Sequence, residues 1–130
     1  MQITTPISLA ELIDKISILE IKKAKIKNPE KLQNVEYELQ ILVDVIKTEK
    51  LPKNKIYEFK ERLIKINGEL WDIEDRLRLK ERAKVFDEEF IELARLVYIT
   101  NDERAEVKKE LNVAFGSKLI EEKEYTASNI

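Results

Sequence analysis

Seven apolar residues, Ile56, Phe59, Leu63, Ile66, Leu70, Ile73 and Leu77, recur at alternating steps of three and four. That spacing places them on one side of an α-helix. A row of about six turns commits one long helix, predicted over 55–84, to partners along a seam. Gly68 lies inside it at a cost of about 1 kcal/mol against alanine, a position where another backbone can come close. At 100° per residue, Asn67, Glu74, Arg78 and Glu81 fall within about 80° of Leu70, beside the row rather than opposite it. Polar groups in that position are partly desolvated and need partners. Trp71 flanks the row in line with Ile64 and Arg78, the usual place for a packing tryptophan and an occasional one for a stacking platform.

Two glycines and three prolines in 130 residues are too few for the turns of a β protein, and helical spacing dominates the remainder. A helix over 8–27 opens with a capping box from Ser8 to Glu11, flanked by Ile7 and Leu12 as a hydrophobic staple. Asn28, Pro29 and Glu30 open a second over 29–49, and the short connection makes the pair an antiparallel hairpin. After the long helix, Asp87 with Phe86 and Ile91 repeats the cap and staple and opens a helix over 87–99. Thr100 and Glu103 form another capping box for a helix over 101–115 that Gly116 ends. A short helix over 118–125 and a frayed tail over 126–130 complete the expectation. The fold class is all-α: one domain over 1–130, a bundle of four to six helices with an N-terminal hairpin and one long central helix.

The chain has no cysteine and no histidine. This removes disulfides, thiolate nucleophiles, Cys/His zinc sites and histidine triads. With 24 basic and 26 acidic residues, nothing attracts nucleic acid or an anionic membrane by bulk charge. The arginines and lysines between Glu69 and Arg82 alternate with acids, the pattern of a salt-bridged helix surface rather than a nucleic-acid contact. No basic leader precedes an apolar run, and no stretch approaches the roughly 18 apolar residues of a membrane span. A cytoplasmic location without membrane attachment is the expectation.

The first two helices are apolar on two sides. Tyr37, Ile41 and Val45 lie opposite Leu39, and Ile18 and Ile21 face away from Leu12 and Leu19. Either the later helices wrap around the hairpin, or a second copy covers these five residues as a self-association face, with a two-fold homodimer the commonest closed form.

Chemistry without histidine or cysteine would rest on carboxylates, lysine, tyrosine or a bound metal. Acidic pairs three residues apart, the magnesium-binding device of all-helical pyrophosphohydrolases, occur at Glu11/Asp14, Glu58/Glu61, Glu69/Asp72, Glu89/Glu92 and Glu103/Glu106. A chain with 26 acids produces such spacings by chance, so neither metal nor cofactor is expected. More specific is the placement of Glu20 and Lys23 on the side of Leu9, Ile13 and Ile16. If that side meets the long helix, Glu20 or Lys23 pairs with Asn67, Glu74 or Arg78. With Glu81 and Trp71, these residues would form a register-fixing network or a ligand pocket.

Two stretches carry a resemblance. Thr5 to Ile26 (TPISLAELIDKISILEIKKAKI), together with Leu70 to Asn112 (LWDIEDRLRLKERAKVFDEEFIELARLVYITNDERAEVKKELN) and the following GSKLIEEKEY, resembles a family of small bacterial and phage all-helical proteins classed as a domain of unknown function. The resemblance covers half to two thirds of the chain and implies a complete member of unassigned function, with no activity, cofactor or site residue to carry over. The residues point to a self-associating interaction or accessory module without catalysis. The alternative is a small-molecule or metal-dependent enzyme with interhelical carboxylates, of the nucleotide pyrophosphohydrolase kind.

Overall fold

All the helices but one begin at a side chain that accepts one or two of their first amides. In the computed structural model, which describes residues 1–126, Ser8 Oγ accepts the Glu11 amide at 3.2 Å and opens α1, Leu9–Lys25. Asn28 Oδ1 accepts the amides of Glu30 and Lys31 at the start of α2, Pro29–Thr48. Pro52 precedes α3, Lys53–Ala83, without a side-chain cap. Asp87 Oδ1 accepts the Phe90 amide and opens α4, Glu88–Ala114. No strand occurs among the described residues, and the helices pack into an all-α bundle. No helix among them is long and apolar enough to cross a membrane.

The longest helix is α3, but the one at the centre is α1. Among the described residues it packs on α2, α3 and α4, whereas α2 packs on α1 alone of the helices. The core joins Ala10, Leu12, Ile13 and Ile16 of α1 to Ile56, Phe59 and Leu63 of α3 and Val107 and Leu111 of α4. Leu39, Leu42, Val43 and Ile46 of α2 lean on it from outside. Ion pairs set the directions: Arg62 with Glu110 at 2.5 Å and Arg76 with Glu89 make α3 and α4 antiparallel. Lys25 with Asp72 at 3.4 Å marks how far α1 reaches along α3.

Beyond Asp72, α3 runs on to Ala83 and α4 returns from Glu88; α1 ends at Lys25 and borders only the first turns of this stretch among the described residues. The projecting part is about 16 Å long at 1.5 Å per residue. Its turn is closed by the Val85 amide donating to Lys80 O, with Lys84 left-handed at φ 58°. Phe86 and Phe90 meet edge to face, centroids 5.2 Å apart.

Two expectations are corrected. The break at Thr100 is absent: α4 runs unbroken through it, and Thr100 is buried. Leu93, Thr100 and Val107 recur at seven on one side, so ending the helix at Thr100 would swing Val107 and Leu111 off the core. The expected helix over 118–125 is also absent. Gly116 is left-handed at φ 64°, and Ser117 Oγ donates to Leu119 O and accepts from Leu119 N, bonds that compete with a helical turn. Of the expected tail over 126–130, residues 127–130 lie outside the described residues.

Leu63 is fully enclosed where α1 and α4 meet α3. Leu63→Ala is expected to cost about 2–5 kcal/mol through the cavity it leaves, read as a lowered urea midpoint with unchanged slope. The Asp87 carboxyl is held below the ordinary aspartate range by the Phe90 amide and then by the Lys80 ammonium. A carboxyl with a lowered folded-state pKa stabilises fully above its unfolded pKa, and that contribution fades as pH falls through the folded value. Asp87→Asn, which keeps a cap but removes the charge, should therefore be less stable than the parent near neutrality, with the gap closing in acid. Denaturant curves across a pH series check this.

Candidate functional site

A polar residue interrupts the buried side of α3. Ile56, Phe59 and Leu63 are followed by Asn67, one turn on and equally enclosed. Its Nδ2 donates to Asp14 Oδ1 and to Ser17 Oγ, both at 2.8 Å, and its Oδ1 accepts from Arg104 Nη1 at 3.1 Å. Ser17 Oγ in turn donates to Asp14 O at 2.7 Å. One amide thus joins α1, α3 and α4.

The network continues toward the start of α1. Lys108, nearly enclosed, donates from Nζ to Glu11 Oε1 at 2.5 Å and lies 3.9 Å from Asp14 Oδ2 and 3.6 Å from Glu121 Oε2. Asn112 Oδ1 accepts the Ala10 amide at 3.0 Å, a cap for α1 supplied by another helix. No buried side-chain nitrogen or oxygen among the described residues lacks a partner.

On the solvent side of Asn67 the network opens into a groove of about 330 Å³ between α1, α3 and α4. Ile18, Ile21, Leu70 and Trp71 form apolar walls, and Arg104 stands at the end next to Asn67. Glu74, Asp75 and Arg78 line the outer part and are exposed.

The residues marked in the sequence separate into two groups. Asn67, Trp71, Glu74 and Arg78 line this one groove, with Ile18 and Ile21 across from them. The expected pairing of Glu20 or Lys23 with that group is not made. Glu20 instead accepts from Lys60 at 3.1 Å, and Lys23 and Glu81 are exposed. The reason is the path of α1, whose side carrying Glu20 faces the early turns of α3. Glu74 and Arg78 form an i,i+4 surface pair at 3.6 Å, with the Arg78 side chain 82% exposed.

The five residues read as one self-association face do not share a surface. Ile18 and Ile21 turn toward α3 and α4, and Ile21 is buried, so the later helices cover that side. Tyr37 and Val45 stand exposed on α2, with Ile41 half-buried.

The acidic pairs are also resolved. Glu58/Glu61, Glu69/Asp72, Glu89/Glu92 and Glu103/Glu106 lie on exposed faces. Only Glu11/Asp14 turns inward, and the cation it meets is the Lys108 ammonium. No group of three or more carboxylates among the described residues is placed to hold a metal ion.

The sequence marks Asp14 only as half of an acidic pair, and it does not mark Ser17, Arg104 or Lys108. The available signal was spacing: Asp14 and Ser17 share the side of Ile18 and Ile21, and Arg104, Lys108 and Asn112 stand four apart beside Leu111.

Removing one member of such a network strands the others. Lys108→Met should cost about 3 kcal/mol by leaving Glu11 and Asp14 uncompensated, whereas Glu74→Ala and Arg78→Ala should each stay within about 0.5 kcal/mol. Equilibrium denaturation of the three variants, with the Glu74→Ala/Arg78→Ala double to test additivity, decides it.

A family model described as Family of unknown function (DUF6165) matches residues 3–129. No curated protein and no solved structure matches the chain.

Proposed function

The chain belongs to the DUF6165 family, and we propose that it is a non-catalytic interaction module that self-associates through the projecting α3–α4 arm. The observation that carries this reading is an apolar row on α4. Ile91, Ala94 and Tyr98 recur at steps of three and four, and all three are exposed. A row of that period is the seam of a helix packed on another helix, with the small alanine allowing close approach. Leu79, Phe86 and Leu96 add further exposed apolar surface to the same arm.

The occupant that suits the row is a second copy. Between residues 76 and 84, α3 and its cap carry five basic residues and one acidic, while 87–95 carry four acidic and one basic. Arg76 and Lys80 pair with Glu89 and Asp87 inside the arm, so two arms related by a two-fold axis would set Arg82 and Lys84 of one α3 beside Glu88 at the start of the other α4. The result is a four-helix layer with matched charge. Tyr37, Ile41 and Val45 on α2 offer a second, smaller face for contacts of the same kind.

Light scattering at tens of micromolar should give twice the 15.3 kDa chain mass. Ile91→Glu with Tyr98→Glu should return it to a single chain with helicity unchanged, since both side chains are exposed. A single-chain mass for the unaltered protein overturns the reading.

A further inference from the structure

The groove at the root of the arm holds a charged group most of whose donors have no partner among the described residues. Arg104 has five N–H donors, and among the described residues one is used, on Asn67 Oδ1. That single bond fixes the guanidinium, because Asn67 is itself held on its other end by Asp14 and Ser17. The fork is therefore held from behind by buried groups, and Arg104 lines the groove. Beside it are the side chains that make the groove apolar: Ile18 and Ile21 from α1 and Leu70 and Trp71 from α3.

We propose that this groove binds a small organic acid with an apolar body, its carboxylate on Arg104 and its hydrocarbon or ring against Trp71, Leu70 and Ile21. Three features select this chemistry. A planar fork with adjacent free donors matches a carboxylate in bidentate geometry, which a point charge would not. The groove, about 330 Å³, lies at the small end of ligand sites, enough for one compact molecule but not for a folded peptide. The charges farther out favour a single acid group at the inner end. Glu74 is compensated by Arg78, and Asp75 at the exposed edge repels a second anionic group.

The ligand reading goes beyond self-association and does not depend on it. Ile91 and Tyr98 do not line the groove.

Trp71 is the only tryptophan in the chain, so fluorescence excited beyond the absorption of the four tyrosines reports on the surroundings of this one ring. The probes are octanoate, octan-1-ol and acetate, none of which absorbs where tryptophan is excited. Octanoate should change Trp71 emission saturably with a Kd below roughly 1 mM, at least about tenfold tighter than either the alcohol, which lacks the charge, or acetate, which lacks the body. Arg104→Gln retains an amide able to donate to Asn67 and should abolish the preference for octanoate over octanol. Arg104→Lys keeps the charge without the fork and should weaken octanoate binding while leaving octanol unchanged. Arg78→Gln, on the outer edge, should leave the preference intact. Equal binding of octanol and octanoate, no saturable change with octanoate, or a preference lost with Arg78→Gln but kept with Arg104→Gln would each overturn the proposal. Repeating the titration in the Ile91→Glu/Tyr98→Glu background separates the two readings: loss of dimer mass with octanoate binding retained leaves this one standing.

Discussion

The bundle turns on one amide. A buried asparagine in a seam of isoleucine, phenylalanine and leucine costs about 1–3 kcal/mol unless its donors and acceptor are all met. For Asn67 they are met by Asp14 and Ser17 from α1 and Arg104 from α4. A shift of α3 by one turn would set Leu63 or Leu70 against Asp14 and Ser17 and leave a carboxylate without its donor. Apolar packing alone tolerates such slips, because one leucine replaces another with little loss. The polar node does not, so it specifies where three helices stop relative to one another.

Given that register, the lengths of the helices decide what remains exposed. With 17 residues α1 spans about 25 Å, against about 46 Å for the 31 residues of α3. Toward its end α3 outruns α1, the third helix that would complete its packing. The upper half of the apolar row on α3, Leu70, Ile73 and Leu77, is accordingly half-buried, while the lower half, Ile56, Phe59 and Leu63, is enclosed. The groove lies where α1 runs out, and the arm is the remainder. Both candidate surfaces thus follow from one mismatch in length, and the second apolar side of α1, open in the sequence either to later helices or to a second copy, faces α3 and α4 across the groove.

Local signals were the most legible part of the chain. Ser8, Asn28 and Asp87 could be read as caps because each bonds amides two or three residues away. The same signature misled at Thr100, where a buried row spanning Leu93 to Val107 outweighs a capping option within it. Asn67 stood out because it sits beside an apolar stripe, but its partners did not. Asp14 looked like half of an acidic pair, and Arg104 and Lys108 looked like members of a charged helix surface. Their roles depend on how α4 crosses α1, and no spacing within either helix encodes that crossing. Glu20 shows the same limit from the other side: its side chain does reach α3, but at Lys60 rather than at the upper turns.

The acidic pair at Glu11 and Asp14 shows why carboxylate spacing alone says little in a chain so rich in acids. Two carboxylates held near each other on one helical face raise each other's energy and require a positive neighbour. In this fold the neighbour is covalently part of the chain, as Lys108 reaches from α4 into the pair at 2.5 Å and 3.9 Å. An ammonium on a four-carbon stem does not exchange with solvent as a free ion does. It ties α1 to α4 one turn beyond the Asn67 node, and Asn112 adds a third tie at the Ala10 amide. The inward carboxylates are therefore committed to holding helices together. Arg104 lines the groove with one hydrogen bond among the described residues, and the chemistry of a guanidinium suits holding an anion in place rather than moving a proton.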